Sequence, residues 1–264
     1  MSIEVRHGDC FQFLPLLESN SVDAVVTDPP YGTTDLSWDD KIDLATWWQE
    51  IRRVIKPNGV VAVFSQQPFT TDLIVSNRKW FRYELIWKKT CAMGFLSARE
   101  RPLRAHENVL IFSRYFRRSN DGKRAASTYN PQFTPGKPYV KRDRSSSRSS
   151  HYGWAGKSRE VINDGRRYPI DVIEFSNRNG KSLHPTQKPL ELLRWLVLTY
   201  TNPGELVLDP FAGSGTTLVA CQETGRNALG FERAAEYVDV IRQRLQALPD
   251  YENNSTIGLE NERE

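Results

Sequence analysis

Residues 206–217 read LVLDPFAGSGTT, and this segment is the strongest indication of the fold class. The apolar residues Leu206–Leu208 predict a buried strand, and Thr216–Glu223 predict the helix that follows it. Glycines between a strand and a helix let the backbone turn sharply and approach a ligand, and the first helical turn offers free N–H groups. In parallel α/β sheets ligands bind at this kind of junction. The stretch therefore predicts an α/β fold with a ligand site at the end of this strand.

The glycine pattern fits two common ligand classes poorly. A phosphate-binding P-loop requires Lys after its last Gly, where this chain has Thr216, and a dinucleotide fingerprint places a third Gly where it has Leu218. The ligand class that these two mismatches leave is a nucleoside-like molecule with little phosphate. Glu232 ends the next predicted strand and is placed to accept hydrogen bonds from ribose hydroxyls. The alternative is that Gly213 and Gly215 only make a tight connection.

A second motif, DPPY at residues 28–31, follows another predicted buried strand, so it lies at the same edge of the sheet. The Asp28 carboxylate and the Pro29 carbonyl are two acceptors for an exocyclic amino group. Pro30 stiffens the backbone, and Tyr31 offers a flat face for stacking. Such a clamp holds an aromatic amine with its lone pair exposed for attack. The alternative is a turn that merely closes the strand.

The net charge of +4 conceals an uneven distribution along the chain. Residues 99–181 contain 19 Lys and Arg against 8 Asp and Glu, and the rest of the chain is acidic. Concentrated positive charge attracts phosphates through counterion release. We therefore expect this segment to bind a polyanion, with a solvated basic loop region as the alternative.

Composition is that of a globular protein with one sizeable domain. Of its 264 residues, 39% are apolar and 26% charged, which excludes wholesale disorder. No apolar run approaches the roughly 18 residues of a membrane span, and the first residues lack a signal-peptide core, so we expect a cytoplasmic protein. Cys10, Cys91 and Cys221 form no C-x-x-C pair, and the histidines show no metal-ligand spacing.

Strands alternating with helices predict one doubly wound, mostly parallel sheet that is interrupted by a loop-rich basic insertion. The expected divisions are 1–92 with DPPY, 93–181 as the insertion, whose first part can still belong to the sheet, 182–248 with the glycine motif, and 249–264 as an acidic flexible tail. The predicted strands are Ile3–Val5, Val22–Thr27, Val60–Phe64, Phe81–Trp87, Asn108–Ser113, Leu206–Leu208 and Ala228–Phe231. The predicted helices are Phe11–Leu17, 44–55, Leu190–Tyr200, Thr216–Glu223 and 238–248, with a turn at Lys56–Gly59.

Three motifs in combination resemble the S-adenosylmethionine-dependent DNA amino-methyltransferases that modify adenine N6 or cytosine N4. They are DPPYG at 28–32, HPTQKP at 184–189 and LDPFAGSGTT at 208–217. Their order, with DPPY first and the glycine motif last, resembles the β group of the family. The resemblance spans nearly the whole chain and implies a seven-stranded, circularly permuted, Rossmann-like methyltransferase sheet.

The resemblance also implies site residues. In the family the glycine motif holds the methionine moiety of the cofactor, and the HPTQKP stretch closes over it, so Lys188 is expected to pair with the cofactor carboxylate. The implied catalytic residues are Asp28, Pro29, Pro30 and Tyr31. The implied cofactor-binding residues are Asp9, Cys10, Asp28, Thr186, Lys188, Pro189, Asp209, Phe211, Gly213, Ser214, Gly215, Thr216 and Glu232. Ser65, which follows a strand at the same edge, is expected to line the target pocket.

The implied reaction is a direct, in-line methyl transfer to the amino group of a nucleotide flipped out of double-stranded DNA, without a cysteine nucleophile. In the family, Asp at the first DPPY position accompanies adenine more often than cytosine. Adenine N6 is therefore the first hypothesis and cytosine N4 the second. An RNA or protein amide methyltransferase, and a nucleic-acid-binding protein without methyl transfer, are further alternatives.

The expected partner is double-stranded DNA, with no membrane and no metal, and a homodimer stays open. The insertion is the expected target-recognition region. We expect most of its aromatic residues to pack within it, with stacking or wedging against DNA as the alternative; they are Tyr129, Phe133, Tyr139, Tyr152 and Trp154. Its expected DNA contacts are Arg117, Arg118, Lys141, Arg142, Arg144 and Arg148.

Overall fold

The computed structural model describes residues 1–32, 41–116, 126–142, 160–178 and 187–248. The strands are β1 (Ile3–His7), β2 (Val22–Thr27), β3 (Ile55–Ser65), β4 (Phe81–Met93), β5 (Arg104–Ser113), β6 (Thr134–Pro135), β7 (Tyr139–Arg142), β8 (Glu160–Asn163), β9 (Arg166–Arg167), β10 (Val172–Phe175), β11 (Leu206–Asp209) and β12 (Asn227–Glu232). The helices are α1 (Cys10–Phe13), α2 (Leu44–Val54), α3 (Phe69–Ser76), α4 (Leu190–Tyr200), α5 (Thr216–Glu223) and α6 (Ala235–Gln246). Within these ranges no helix combines the length and the apolar character needed to cross a membrane.

The larger of two compact units contains the described parts of residues 1–130 and 171–248. Among its described residues, eight strands form one sheet in the order β1-β12-β11-β2-β3-β5-β4-β10. Most neighbouring strands run parallel, and β5 is antiparallel to both β3 and β4. In the middle, β2 pairs with β11 through Ala24 opposite Val207 and Val25 opposite Leu208. This register brings the ends of the two motif-bearing strands to the same edge.

Helices cover both faces of the sheet, because parallel strands require crossover connections that pack back on it. Helices α1 to α3 contribute to the core on one face, where Trp47 and Trp48 are almost fully buried. Helices α4 to α6 contribute to the core on the other face, which includes Leu196 and Ile241. All six residues of β2 are buried. The predicted doubly wound, mostly parallel sheet is confirmed.

The expectation of seven strands is wrong, because β10 adds an eighth to the described sheet. This strand lies in the segment that the sequence assigns to the insertion, and it pairs in parallel with β4 from Val172 opposite Ile86. The indole N–H of Trp87 donates to the Phe175 carbonyl oxygen at 3.0 Å and helps to hold it. Four residues of mixed polarity give no periodic signal, so only pairing with β4 reveals the strand.

The interruption expected at Lys56–Gly59 lies inside β3, which begins at Ile55 directly after α2. Ile55 lies opposite Val22 and Val60 opposite Ala24, so residues 56–59 form an irregularity in the pairing opposite Asp23. The Lys56 ammonium binds the Asp23 carboxylate of β2 at 2.7 and 2.8 Å. A Cβ on Gly59 would lie 2.7 Å from the Asp23 carbonyl oxygen, so the glycine permits a close approach of the two strands at this irregularity.

The described residues of the second compact unit, Pro131–Ile170, form two short antiparallel ribbons, β6 with β9 and β7 with β8. The Phe133 and Tyr168 rings lie 4.8 Å apart between centroids. The Arg167 guanidinium lies 5.0 Å from the Tyr139 ring centroid. Phe133 and Tyr139 thus pack within this unit, whereas Tyr129 packs against Tyr200 of α4 with ring centroids 6.5 Å apart, and Tyr152 and Trp154 lie outside the described residues. Strands β5 and β10, which flank this unit in the chain, belong to the large sheet.

Candidate active site

A cleft of about 790 Å³ lies at the sheet edge where β2 and β11 end. This volume is within the range of small-molecule sites. Because β2 and β11 are adjacent and parallel, the residues that follow them meet in one place. The sequence-predicted residues that line the cleft are Asp9, Cys10, Asp28, Pro29, Pro30, Tyr31, Lys188, Asp209, Phe211, Gly213, Ser214, Thr216 and Glu232.

Asp28 follows the last residue of β2, and two partners orient its carboxylate. The Tyr31 hydroxyl donates to Asp28 Oδ1 at 2.6 Å, and Lys188 Nζ lies 2.6 Å from Oδ2. The Tyr31 ring stacks on Phe69 with centroids 5.4 Å apart and planes at 23°. Each carboxylate oxygen retains a second acceptor site. Asp28 is thus held in place and can still accept a hydrogen bond from a group in the cleft.

Lys188 links Asp28 to a second carboxylate, that of Glu107 on β5. Lys188 Nζ lies 3.1 Å from Glu107 Oε2, and Glu107 Oε1 also accepts a hydrogen bond from Lys89 of β4. The side chains of Glu107, Lys89 and Lys188 are 7%, 8% and 11% exposed. Positive and negative groups alternate in this charge cluster of Lys89, Glu107, Lys188 and Asp28. The alternation compensates the burial of four ionic groups.

Burial and neighbouring charges compete in the charge cluster. Burial raises the pKa of the Asp28 carboxyl, and the Lys188 ammonium opposes that rise without cancelling it. Burial also disfavours ionised Glu107, but Lys188 and Lys89 outweigh it and hold the pKa of Glu107 at about 2. For Lys188, the two carboxylates outweigh burial, and its pKa lies above the ordinary value. Glu107 and Lys188 therefore stay charged near neutral pH.

Sequence reasoning missed Glu107 and Lys89, and it assigned Lys188 to the cofactor carboxylate. In the structure Lys188 contacts Asp28 and Glu107. The available signal is weak, because Lys89 is one of two consecutive lysines and Glu107 is one charge, and both only flank the apolar runs of two strands. Among the described residues, no group of three or more His, Cys, Asp or Glu side chains is arranged to hold a metal ion.

The glycine loop, residues 210–215, connects β11 to α5. Gly213 and Gly215 have φ angles of +53° and +76°, in the left-handed region that favours glycine. A Cβ on Gly213 would meet no atom within 4 Å, so this residue borders open space in the cleft. A Cβ on Gly215 would lie 2.6 Å from Cγ1 of Ile241. Gly213 leaves room for a ligand, whereas Gly215 allows α6 to pack closely.

Asp209 ends β11 and is only 3% exposed. Its Oδ1 accepts from the Thr27 hydroxyl at 2.7 Å and from the Phe211 N–H at 3.2 Å. The Thr217 side chain also donates to this carboxylate. Burial raises the pKa of Asp209 to about 6, although these three donors oppose the rise. Asp209 thereby ties β11 to β2 and to the glycine loop.

Glu232 ends β12, beside β11. Its carboxylate accepts from the N–H groups of Gly213 at 2.7 Å and Ala234 at 2.8 Å. Burial raises the pKa of Glu232, and the backbone donors oppose that rise. The carboxylate fixes the glycine loop and retains acceptor sites for hydroxyl groups in the cleft.

Asp9 and Cys10 approach the cleft from the start of α1. Asp9 caps this helix, because its Oδ1 accepts from the Phe11 N–H at 2.9 Å. Cys10 is 3% exposed, and burial raises the pKa of its thiol to about 12. The thiol is therefore neutral and contributes packing surface to the cleft.

Several predicted residues lie elsewhere. Pro189 is buried at the start of α4, and neither Pro189 nor Gly215 lines the cleft that the described residues form. Ser65 is fully buried and accepts from the Thr70 hydroxyl at 3.0 Å, whereas its neighbour Gln66 lines the cleft. Lys141 and Arg142 lie on β7 of the second unit. Thr186, Arg117, Arg118, Arg144 and Arg148 lie outside the described residues.

Proteins with similar sequences are DNA methyltransferases. A profile of the N6/N4 methyltransferase family, described as DNA methylase, matches residues 22–243. The chain is 30% identical to the type II methyltransferase M.HpaI of Haemophilus parainfluenzae, covering 91% of this chain and 73% of that protein. It is 28% identical to the type II methyltransferase M.HinfI of Haemophilus influenzae, and the match covers 95% of this chain and 70% of that protein.

Solved structures show the same fold. The M1.HpyAVI–SAM complex matches with a TM-score of 0.60 at 26% identity, covering 92% of this chain and 98% of that chain. The cytosine-N4-specific PvuII DNA methyltransferase matches with a TM-score of 0.65 at 16% identity, covering 97% and 91%. At that lower identity the likeness concerns the fold alone.

Proposed function

The chain belongs to the N6/N4 DNA methylase family, and we propose that it methylates the N6 amino group of adenine in double-stranded DNA. It is a DNA amino-methyltransferase, and S-adenosylmethionine is its methyl donor. The observation that carries the proposal is that Asp28 and Gly213 line the same cleft. One cleft thus contains both an acceptor for an amine and a loop with room for a cofactor.

The described residues fit S-adenosylmethionine. Gly213 leaves open space where a side chain would project, and Glu232 keeps acceptor sites for ribose hydroxyls. Asp9 and Cys10 also line the cleft, and the turn that they belong to resembles the element that contacts the cofactor adenine in the family. When bound, S-adenosylmethionine supplies an electrophilic methyl group on a sulfonium. The protein's contribution is to hold the acceptor amine in line with that group.

Asp28 and Pro29 are the residues proposed to hold the target amine. The Asp28 carboxylate and the Pro29 carbonyl both accept hydrogen bonds, and Pro29 and Pro30 lack N–H groups that would compete. The target base must leave the duplex to reach them, and unstacking it costs a few kcal/mol. Tyr31, stacked on Phe69, offers a ring that compensates part of this loss.

Asp28 is also placed to take up the proton that the amine loses on methylation. Burial raises its pKa, so its carboxylate binds a proton more readily than an ordinary Asp. The ammonium of Lys188 stays charged beside it and fixes the carboxylate orientation. Asp28 thus both orients the amine and offers a transient proton site.

The basic insertion is the proposed recognition region for DNA. Its described part includes Lys137, Lys141, Arg166 and Arg167, while Arg166 is also paired with Asp164 at 2.8 Å. Lysines and arginines on such ribbons bind phosphates and, with suitable geometry, guanine edges.

Adenine is proposed over cytosine because Asp stands at position 28, and in the family this residue accompanies adenine more often.

The test is to incubate the protein with unmethylated DNA and labelled S-adenosylmethionine, digest the DNA, and identify the methylated nucleoside by mass. N6-methyladenine is expected. N4-methylcytosine would overturn the choice of base and retain the amino-methyltransferase. The Asp28→Asn variant is the control, because it should bind the cofactor without producing either nucleoside.

A further inference from the structure

The turn between β4 and β5, residues 94–103, presents an apolar tip to solvent. Leu96 is 103% exposed and Phe95 is 82% exposed, and these are the two most exposed large apolar side chains of the described residues. Met93, at the base of the turn, is 51% exposed. Single exposed apolar residues are common, but a contiguous group of them marks an interaction site.

Backbone hydrogen bonds order this apolar tip. The Ser97 N–H donates to the Gly94 carbonyl at 3.1 Å, and the Ala98 N–H donates to the Phe95 carbonyl at 3.1 Å. At its base, Met93 pairs with Arg104 across the two strands. The exposed side chains are therefore presented on a preformed turn, so docking orders few additional groups.

The tip adjoins the catalytic cleft and is surrounded by positive charge. Met93 and Arg104 both line the cleft that contains Asp28. Arg99, Arg101 and Arg104 are exposed, with Glu100 as the single acidic residue in the turn. An apolar centre with a basic surround is complementary to a partner that has phosphates outside and apolar base faces inside.

We propose that Phe95 and Leu96 insert into the DNA duplex at the target base pair and fill the space that the flipped nucleotide leaves. The inference rests on the proposed function, because it assumes a nucleotide that leaves the stack. The neighbouring arginines contact the flanking phosphates. Apolar side chains inserted between base steps support unstacked DNA in this way.

The test compares two DNA substrates that differ in the free energy needed to flip the target nucleotide out of the duplex. The target sequence is first mapped on DNA from a methylation-deficient bacterial host that expresses the protein. Single-turnover methylation is then measured on a synthetic duplex with a normal target pair and on one with an abasic site opposite the target. For Phe95→Ala/Leu96→Ala we expect about a tenfold slower reaction on the normal duplex and near wild-type rates on the abasic duplex.

The matched control is Leu16→Ala, since Leu16 is 73% exposed and does not line the cleft. It should react like the wild type on both duplexes. Equal slowing of the tip variant on both duplexes, or no slowing on either, would overturn the proposal. The proposal would also be overturned if the wild type sediments as a dimer and the tip variant as a monomer, because the tip would then contact a second copy of the chain. If the wild type methylates neither duplex, the proposed function itself fails.

Discussion

Asp-Pro stands at the ends of two adjacent parallel strands, with Asp28-Pro29 directly after β2 and Asp209-Pro210 at the end of β11. The surroundings of the two carboxylates differ. Asp28 bonds a cation and a phenol, and its side chain is 23% exposed to the cleft. Asp209 is 3% exposed and accepts from three neutral donors. The same dipeptide thus lines the cleft in one place, where we propose that it accepts the target amine, and ties the glycine loop to β2 in the other.

The contrast comes from what packs against each strand end. Lys188 reaches Asp28 from two residues before α4, and Glu107 holds Lys188 from β5. The partner that β2 supplies to Asp209 is, by contrast, the neutral hydroxyl of Thr27. A cation keeps a carboxylate available as a charged acceptor, whereas neutral hydroxyl and amide donors consume its acceptor sites in structural bonds.

Identical substitutions should separate the two aspartates most strongly in turnover. For Asp28→Asn we expect kcat to fall by about 10³-fold, the scale for removal of one preorganised group at a reacting centre. Cofactor affinity should stay near the wild-type value. Asp209→Asn is the matched control and should retain most of its turnover. Single-turnover methyl transfer and cofactor titration measure both, and comparable losses in the two variants would contradict the distinction.

Stability should show the opposite ranking. Asp209→Ala leaves the Thr27 and Thr217 hydroxyls and the Phe211 N–H without their acceptor, so we expect a loss of about 3 kcal/mol in the free energy of unfolding. Asp28→Ala should lose less, because its partners border the cleft and Lys188 retains Glu107. Urea denaturation measures both values. A larger loss for Asp28→Ala would make that residue the structural one.

The pH dependence of stability sharpens the role of Asp209. Burial raises its pKa from 3.8 to about 6, so the folded state binds this proton more tightly than the unfolded state. Its contribution to the free energy of unfolding is therefore fully present below its ordinary pKa of 3.8 and falls until the pH passes about 6. The stability advantage of the wild type over Asp209→Asn should shrink across this window. An advantage that does not change with pH would refute the burial of an ionisable group here.

The smallest expected effect concerns the second carboxylate of the charge cluster. For Glu107→Gln we expect kcat to fall about tenfold, equal to about 1.4 kcal/mol in the barrier, because Lys188 loses one of its two anionic partners. Glu174→Gln is the matched control, since Glu174 pairs with the adjacent Lys88 at 2.6 Å on the exposed surface. It should leave kcat unchanged. Equal decreases of kcat in the two variants would show that Glu107 contributes only its negative charge to the protein and not its contact with Lys188.

Much of the fold follows from local sequence patterns. The run VDAVVT predicts β2, and LVL followed by a glycine loop predicts β11 and α5, because a strand buried on both faces must be continuously apolar. Strand β10 does not follow, since its four residues acquire a strand conformation only by pairing with β4. The interruption expected at Lys56–Gly59 takes the form of an irregularity inside β3, because pairing with β2 continues on both sides of it.

DPPY and the glycine motif are local signals, and each predicts particular side chains at the end of a strand. The partners that these side chains receive follow only from how distant segments pack. Lys188 and Glu107 lie far from Asp28 in the chain, and no periodicity links them. They meet because β5 and the start of α4 pack around the end of β2, where buried charges are stable only when they are paired.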